Sequence, residues 1–283
     1  MTMQTLSFSC PPDYTILWAK SDPRHPLWKH LLDAAAVSLA LPCPINDSSW
    51  NHTAVALLVG LHDIGKADSR FQHQVSGFSG ELTEAGFPKT ADAPCRHEYV
   101  SAEFVRKELV NDGLDEYVAD AIARALVAHH GYWNERPCGV SDIYKKAQDQ
   151  LYCMLKKILR INSFPSQSPS NLSDFGMRLA GHVVLCDWIA SNEEFFTDSR
   201  LEGCEDPVRY WTVAQEVAAE WTDKLSLKRV PRQAFACRVV ENTRPIQEAV
   251  LKNNIPPGLV IIEAPMGEGK TEAAWILAEK WRG

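Results

Sequence analysis

The chain has 283 residues, 45% of them hydrophobic, and a net charge of −7. That length suggests one large domain, or one domain plus part of a second, with ample apolar material for a core. The acidic balance does not advertise a nucleic-acid binder, and no stretch has the order of a secretory signal or nears the ~20 apolar residues of a membrane span.

From Leu27 to about Trp221, apolar residues recur at three- and four-residue spacing, the period of a helix face. The predicted helices are roughly 26–41, 52–64, 67–75, 98–110, 115–130, 141–160, 173–196 and 207–224, and strand-like alternation is scarce among them. Residues 76–96, rich in Gly, Thr and Pro, form a predicted loop. A second, at 162–174, is rich in Ser and Pro, with Ser173 placed to cap the following helix. Charge is uneven: residues 144–160 carry five Lys/Arg against Asp149, and residues 191–223 carry nine acids against Arg200 and Arg209. A basic strip could contact phosphates, but a solvated helix face is the favoured reading.

Near residue 225 the pattern changes. Pro256-Pro257-Gly258 predicts a turn, Leu259–Ile262 a β-run, and a glycine loop and helix follow. This is the opening βα unit of an α/β domain. The fold expected is therefore an all-α domain over 1–230, then a linker and the truncated start of a second domain over 231–283. Eight cysteines (Cys10, Cys43, Cys95, Cys138, Cys153, Cys186, Cys204, Cys237) are scattered with no C-x-x-C pair. They argue for a reducing cytoplasm, not a disulfide framework or a zinc ribbon.

Several ionisable residues sit on the apolar faces. His30 shares a stripe with Leu27, Ala34, Val37 and Leu41. His62 ends a run that includes Val55 and Leu58, with Asp63 beside it. His129 continues Val118, Ile122 and Ala125, with His130 next, and Asp187 lies with Ala180, Val183 and Val184. A buried carboxylate must be paired, protonated or metal-bound. One histidine on an apolar face is usually a hydrogen-bonded core residue, and one aspartate could cap a turn. The same anomaly on several helices favours a metal site. Imidazole with carboxylate suits Mn²⁺, Fe²⁺, Co²⁺ or Ni²⁺, and helices of a bundle can present such ligands to one point.

The order His30 … His62-Asp63 … Asp187 resembles the signature of the HD phosphohydrolase superfamily, and "LHDIGK" carries the likeness. "WAKSDP", "HPLWKHLLDAAAV", "LHDIGKADSRFQ", "HHGYW" and "CDWIASN" narrow it to the HD nuclease domain of the type I CRISPR-associated nuclease-helicase, the Cas three family. This resemblance implies an HD-domain helical bundle with two divalent transition metal ions. His30, His62, Asp63 and Asp187 would hold one, and His97, His129 and His130 the second, with Asp63 bridging. Two ions about 3.5–4 Å apart can clamp a phosphodiester. Lys66 could donate to the phosphate oxygens as negative charge grows, although an exposed lysine at a helix end is its plainer role. Ser191, one turn past Asp187, is a candidate to position a phosphate or a water. His25, His52, His73 and His182 match no ligand position, and His182 projects roughly 140° from Asp187 at 100° per residue. Trp18, Trp133 and Trp188 could stack on bases, with packing favoured for Trp188.

"EAPMGEGKT" (263–271) matches A-x-x-G-x-G-K-T, the first motif of superfamily-two helicases, which places the second domain as the start of a RecA-like helicase domain. Gly267 and Gly269 would let backbone amides cradle phosphates, Lys270 would reach the β/γ oxygens and Thr271 would hold Mg²⁺. No acidic metal-binding motif follows within these residues, so ATP and Mg²⁺ belong to the full-length helicase and negligible ATPase activity is expected here.

The expected function is a metal-dependent nuclease acting on single-stranded DNA in type I CRISPR interference, an antiviral defence, with a Cascade-like surveillance complex as partner. Two others compete: an HD-type nucleotide or cyclic-nucleotide phosphohydrolase, and a docking module whose metal is structural. The first would need a closed pocket with base-reading groups, which no arrangement of residues suggests, and the attached helicase motif argues against it. A cytoplasmic location with no membrane partner is expected.

Overall fold

The computed structural model describes residues 13–45, 47, 49–131, 136–165, 167–192, 194–196, 199–225, 227 and 243–281. The chain divides into two compact units, 1–226 and 227–283.

The first unit is a helical bundle with one small hairpin, β1 (Trp18–Ser21) against β2 (Arg24–Pro26), antiparallel with Lys20 opposite His25. Helix α1 (Leu27–Ala40) follows at once, and its residues from Leu27 to Ser38 are all buried. It packs against α2 (His52–Gly60), α8 (Leu172–Ala190) and α9 (Pro207–Lys224), which makes it the axis of the bundle. Helix α2 starts where the Asn51 side chain accepts from Ala54 N at 2.7 Å, an N-cap that satisfies one of the otherwise unpaired amides. Residues Ala54–Gly60 are buried on every side. Gly60 permits this, because a Cβ there would meet Leu31 O at 3.1 Å and Ala35 Cβ at 3.3 Å.

The predicted helix 52–64 stops short, at Gly60. The chain turns through Leu61–Asp63 into a 3₁₀ turn at Ile64–Lys66, and α3 (Ser69–Gln72) is a single turn capped by Asp68. Within the predicted loop 76–96, a short α4 (Ser79–Glu84) forms and buries Leu82. Helix α5 (His97–Asn111) packs on the Ile64–Lys66 turn and on α6 (Glu116–Val127). A 3₁₀ turn at Ala128–His130 extends α6, and Gly131 closes it at φ +81°, a left-handed conformation natural to glycine.

Helix α7 (Asp142–Leu159) buries Tyr144, Ala147, Leu151, Leu155 and Leu159. Lys145, Lys146, Lys157 and Arg160 face solvent and Lys156 pairs with Asp112, so the basic strip is a solvated face. The cap of α8 is Asn171, which accepts from Asp174 N at 3.0 Å, and not Ser173. That helix ends at Ala190, six residues before its predicted end. Helix α9 keeps its predicted bounds, with Asp206 as cap and Pro207 in the first turn. Cys95 and Cys138 are joined in a disulfide, a single bond that the scattered spacing did not signal, because their helix-flanking segments meet only in the tertiary fold; Cys43, Cys153, Cys186 and Cys204 are free.

The second unit holds α10 (Pro245–Lys252), which the sequence patterns did not predict, and α11 (Lys270–Trp281). Val250, Ala273, Ile276 and Leu277 form its core, with Val260 and Ile262 packed against it. The predicted strand Leu259–Ile262 forms no ladder. Its alternation survives, with Leu259 93% and Ile261 76% exposed, but a strand is defined by pairing, and no described neighbour pairs with it. Lys280 caps the end of α10 by donating to Val250 O at 3.0 Å and Asn253 O at 2.8 Å.

Candidate metal centre

Three backbone devices aim the imidazoles. His62 Nδ1 donates to Val59 O at 2.9 Å, and His129 Nδ1 contacts Leu126 O in the same i−3 manner. Each ring therefore presents its Nε2 atom inward. A carbonyl behind the ring is the usual means of fixing a ligand tautomer. His30 arrives from α1, held against α2 by the close approach at Gly60.

The donors converge on Asp63. His30 Nε2 lies 3.0 Å from Asp63 Oδ2 and 3.7 Å from Asp187 Oδ1. His62 Nε2 lies 3.3 Å from each of the same two oxygens. The other Asp63 oxygen, Oδ1, faces His97 Nε2 at 3.2 Å and His129 Nε2 at 3.7 Å. His130 Nε2 completes this second group 3.3 Å from His97 Nε2. In each group one donor atom per residue lies within 4.8 Å of the rest. Ligands ~2.0–2.2 Å from a common cation sit ~3–3.5 Å apart, which matches these separations. Buried His62 Nε2, His129 Nε2 and Asp63 Oδ1 have no hydrogen-bond partner, a condition that a cation at each group would relieve. The buried His30 Nδ1 is also unpartnered, and these groups do not account for it.

Charges are distributed as the geometry requires. Burial disfavours protonated His30 and His129 and pushes each down to about 4. Burial acts on His62 too, but Asp63 and Asp187 outweigh it and lift that imidazole to about 10. Against its own burial, Lys66 and His62 hold the Asp63 carboxyl well below the usual range; His62 does the same for Asp187. Burial beside His97 lowers His130.

Lys66 Nζ lies 2.7 Å from Asp63 Oδ2 and 3.4 Å from Ala19 O, so it grips the shared carboxylate instead of reaching outward. Ser191 donates to Asp187 Oδ1 at 2.9 Å, which engages its hydroxyl in orienting that carboxylate. The remaining histidines stand elsewhere. His25 pairs with Asp33, His52 with Ser38 O, His73 with Phe87 O, and His182 with Ser38 Oγ at 2.9 Å. Trp18 is core, its indole donating to Gln72 O. Trp188 is 71% exposed and does not pack as expected, because the helix turns it outward from the Asp187 face. Trp133 lies outside the described residues.

Sequence reasoning missed Glu98. Its carboxylate is 1% exposed, contacts Arg96 and lies 3.5 Å from His97 Nδ1. Its only sequence signal is an acid beside a candidate ligand in the first turn of a helix. A cavity of about 200 Å³ opens here, lined by Gly65, Phe71, Gln74, Arg96, His97 and Glu98. Gly65 is required for the arrangement. A Cβ on it would overlap His97 O and come within 2.8 Å of Ser101 Oγ, which accepts from Gly65 N.

In the second unit the glycine loop runs into α11, with Gly267 at φ +83° and Gly269 at φ +78°. Lys270, the first residue of that helix, folds onto Ala264 O at 2.6 Å and Pro265 O at 2.8 Å, and Thr271 is exposed beside it.

Comparison with known proteins gives one consistent answer. The family described as "Cas3, HD domain" matches residues 18–196. The CRISPR-associated endonuclease/helicase Cas3 of Thermus thermophilus is 31% identical over 294 residues, 91% of this chain and 31% of that protein. Among solved structures, the Thermus thermophilus cas3 HD domain in the presence of Ni²⁺ is 28% identical with a TM-score of 0.54, over 75% of this chain and 90% of that one. A chain of a CRISPR RNA-guided surveillance complex, pre-nicking, is 25% identical with a TM-score of 0.58, over 96% of this chain and 35% of its own length. The chain thus spans about a third of the length of the curated relatives it matches.

Proposed function

The chain belongs to the Cas3 HD-domain family, and on that premise we propose that it is a metal-dependent nuclease that cuts single-stranded DNA in type I CRISPR interference. The observation that carries this reading is Asp63, whose two oxygens face two separate donor groups. His30, His62 and Asp187 would hold one divalent ion, His97, His129 and His130 the other, with Mn²⁺, Fe²⁺, Co²⁺ and Ni²⁺ all compatible with these ligands. Bound there, the pair would supply Lewis acidity at the phosphodiester and a lowered pKa for an attacking water.

The protein's own groups do the rest. Asp63 fixes the spacing of the two half-sites, because one rigid carboxylate spans both. Val59 O and Leu126 O keep His62 and His129 in the tautomer that offers Nε2. Ser191 holds Asp187 in place. Lys66 neutralises Asp63 in the resting site, and its flexible stem lets the ammonium turn to a non-bridging phosphate oxygen as negative charge develops. A flexible single strand fits a centre ringed by helices better than a duplex does. A Cascade-like complex, which would open the duplex, is the proposed partner. Gly267, Gly269, Lys270 and Thr271 are the proposed phosphate loop of a helicase domain that would use ATP and Mg²⁺ in a full-length protein.

The test is cleavage of circular single-stranded DNA by the chelator-stripped chain, with Mn²⁺, Co²⁺ or Ni²⁺ restored in turn. Nicking that needs the metal and disappears in Asp63→Ala is the expected result. No cleavage with any metal, alongside hydrolysis of a free nucleotide, would overturn it in favour of the small-molecule phosphohydrolase.

A further inference from the structure

The segment "WAKSDP" carries family resemblance, yet the metal ligands leave it without a part to play. Its position is firmly fixed. Gln72 Oε1 accepts from Trp18 N at 3.1 Å, while Gln72 Nε2 donates to Trp18 O and Lys66 O at 2.8 Å each. One side chain therefore ties β1 to the turn that carries Asp63 and Lys66. The next residue, Ala19, offers its carbonyl to Lys66 Nζ at 3.4 Å. Then Lys20 reaches the other edge of the centre, its Nζ 3.5 Å from Ala190 O. Ala190 ends α8, and the adjacent Ser191 is the residue that holds Asp187. The dipeptide Ala19-Lys20 thus lies beside the first metal group, between the Asp63–Lys66 pair and the Asp187–Ser191 pair.

Electrostatics make this placement informative. The centre is rich in acids, with Asp63, Asp187, Asp33, Asp68 and Glu98 all on the surrounding elements, in a chain of net charge −7. A polyanion approaching it needs cations at the rim as well as at the reacting phosphate. Lys66 is held on Asp63. Lys20, half-buried on a clamped strand, acts on the buried Asp33 carboxylate and is a second cation beside the centre.

We propose that Lys20 is a substrate-binding residue that contacts a backbone phosphate flanking the scissile one on the single strand. The inference rests on the single-strand nuclease reading and deepens it. Its ammonium exchanges the Ala190 carbonyl for a phosphate oxygen, a charge-assisted contact that is the stronger of the two. It takes no part in the bond-breaking step.

The experiment uses the full 283-residue chain, stripped with chelator so that the strand is not cut, and a labelled oligothymidylate read by fluorescence anisotropy over a range of KCl. Loss of one phosphate contact reduces the slope of log affinity against log salt by about 0.7 for a single strand. Lys20→Ala should show that reduction and Lys20→Arg should keep the wild-type slope. With metal restored, Lys20→Ala should raise KM several-fold and leave kcat within about two-fold, the pattern of lost uniform binding. Equal slopes for wild type and Lys20→Ala overturn the assignment alone. Failure of the wild type to bind any single strand overturns the nuclease reading and this inference with it. Lys20→Met keeps most of the unbranched stem and removes the charge. If both it and Lys20→Ala lose the fold or the metal, Lys20 is a structural clamp and the proposal falls.

Discussion

Asp63 is a residue for which no substitution is conservative. Alanine removes both oxygens, so each donor group loses a ligand at once. Asp63→Ala should lower metal content at both half-sites and cut nuclease activity by at least about 10³-fold, on the scale of removing a group that stabilises the transition state directly. Metal counting by mass spectrometry alongside the activity assay checks it; retention of both ions would contradict the bridging role. Ser191→Ala is a milder change, because the hydroxyl only orients Asp187. Weakening of metal affinity by about 10-fold is expected, at the low end for an outer partner of a ligand. His62 sets the pH behaviour of the metal-free protein. Its folded value of about 10 against an ordinary 6.5 adds stability that is full below 6.5 and is lost as pH rises through 10. His30 and His129, held down at about 4, act oppositely: the unfolded chain takes their protons first, so stability falls as pH drops from 6.5 toward 4. The metal-free chain should therefore be most stable near pH 6.5 and lose stability on either side, as chemical denaturation across pH would show. A metal ligand must be unprotonated, so metal uptake at neutral pH should release about one proton from His62, measurable by calorimetry in buffers of different ionisation enthalpy.

At the level of elements, the centre depends on how closely secondary structures can approach. Gly60 lets α1 lie against α2, and Gly65 lets the Ile64–Lys66 turn rest on the first turn of α5. The second contact is the tighter, and its obstacle is backbone, which cannot swing aside as a side chain can. Gly65→Ala should destabilise the first unit by about 1–3 kcal/mol, as overpacking does. It should also displace His97 and lower occupancy of the second metal group before the first. Thermal unfolding and metal titration together test this; a variant with wild-type affinity at both groups would show that α5 yields without consequence.

For the whole molecule, the question is whether metal serves chemistry or architecture. The first unit has a continuous apolar core around α1. Chelation should leave the native circular dichroism intact at 25 °C while abolishing cleavage. Free metal at about a thousand-fold over its Kd adds about 4 kcal/mol by mass action, on the order of 10 °C in Tm for a unit of this size. Unfolding on chelation would favour the structural docking module. Among the described residues no helix is long and apolar enough to cross a membrane. The second unit carries the proposed phosphate loop, and no acidic metal-binding motif follows it within these 283 residues. Steady-state ATP turnover by this chain should be negligible, and turnover that vanishes in Lys270→Ala would refute that.

By itself the sequence determined the helical period, the bounds of α9 and the identity of the interrupting residues. His30, His62, Asp63, His129 and Asp187 are legible because each breaks an apolar stripe with a group that cannot be buried alone. Periodicity is local, and so is this signal. His97 stood out only through family resemblance, since it opens a helix and breaks no stripe. Tertiary structure decided the rest. It ended α2 at Gly60 and turned Asp63 so that its oxygens face two groups. The same packing set Lys66 on that carboxylate, placed Glu98 behind His97, joined Cys95 to Cys138 and exposed Trp188. It also left Leu259–Ile262 extended but unpaired, although the alternation was readable. The physical reason is common to all of these. Even the Lys66–Asp63 and Glu98–His97 pairs, close in sequence, take their geometry from the elements packed around them, and a one-dimensional pattern records which face a residue occupies, not what waits opposite.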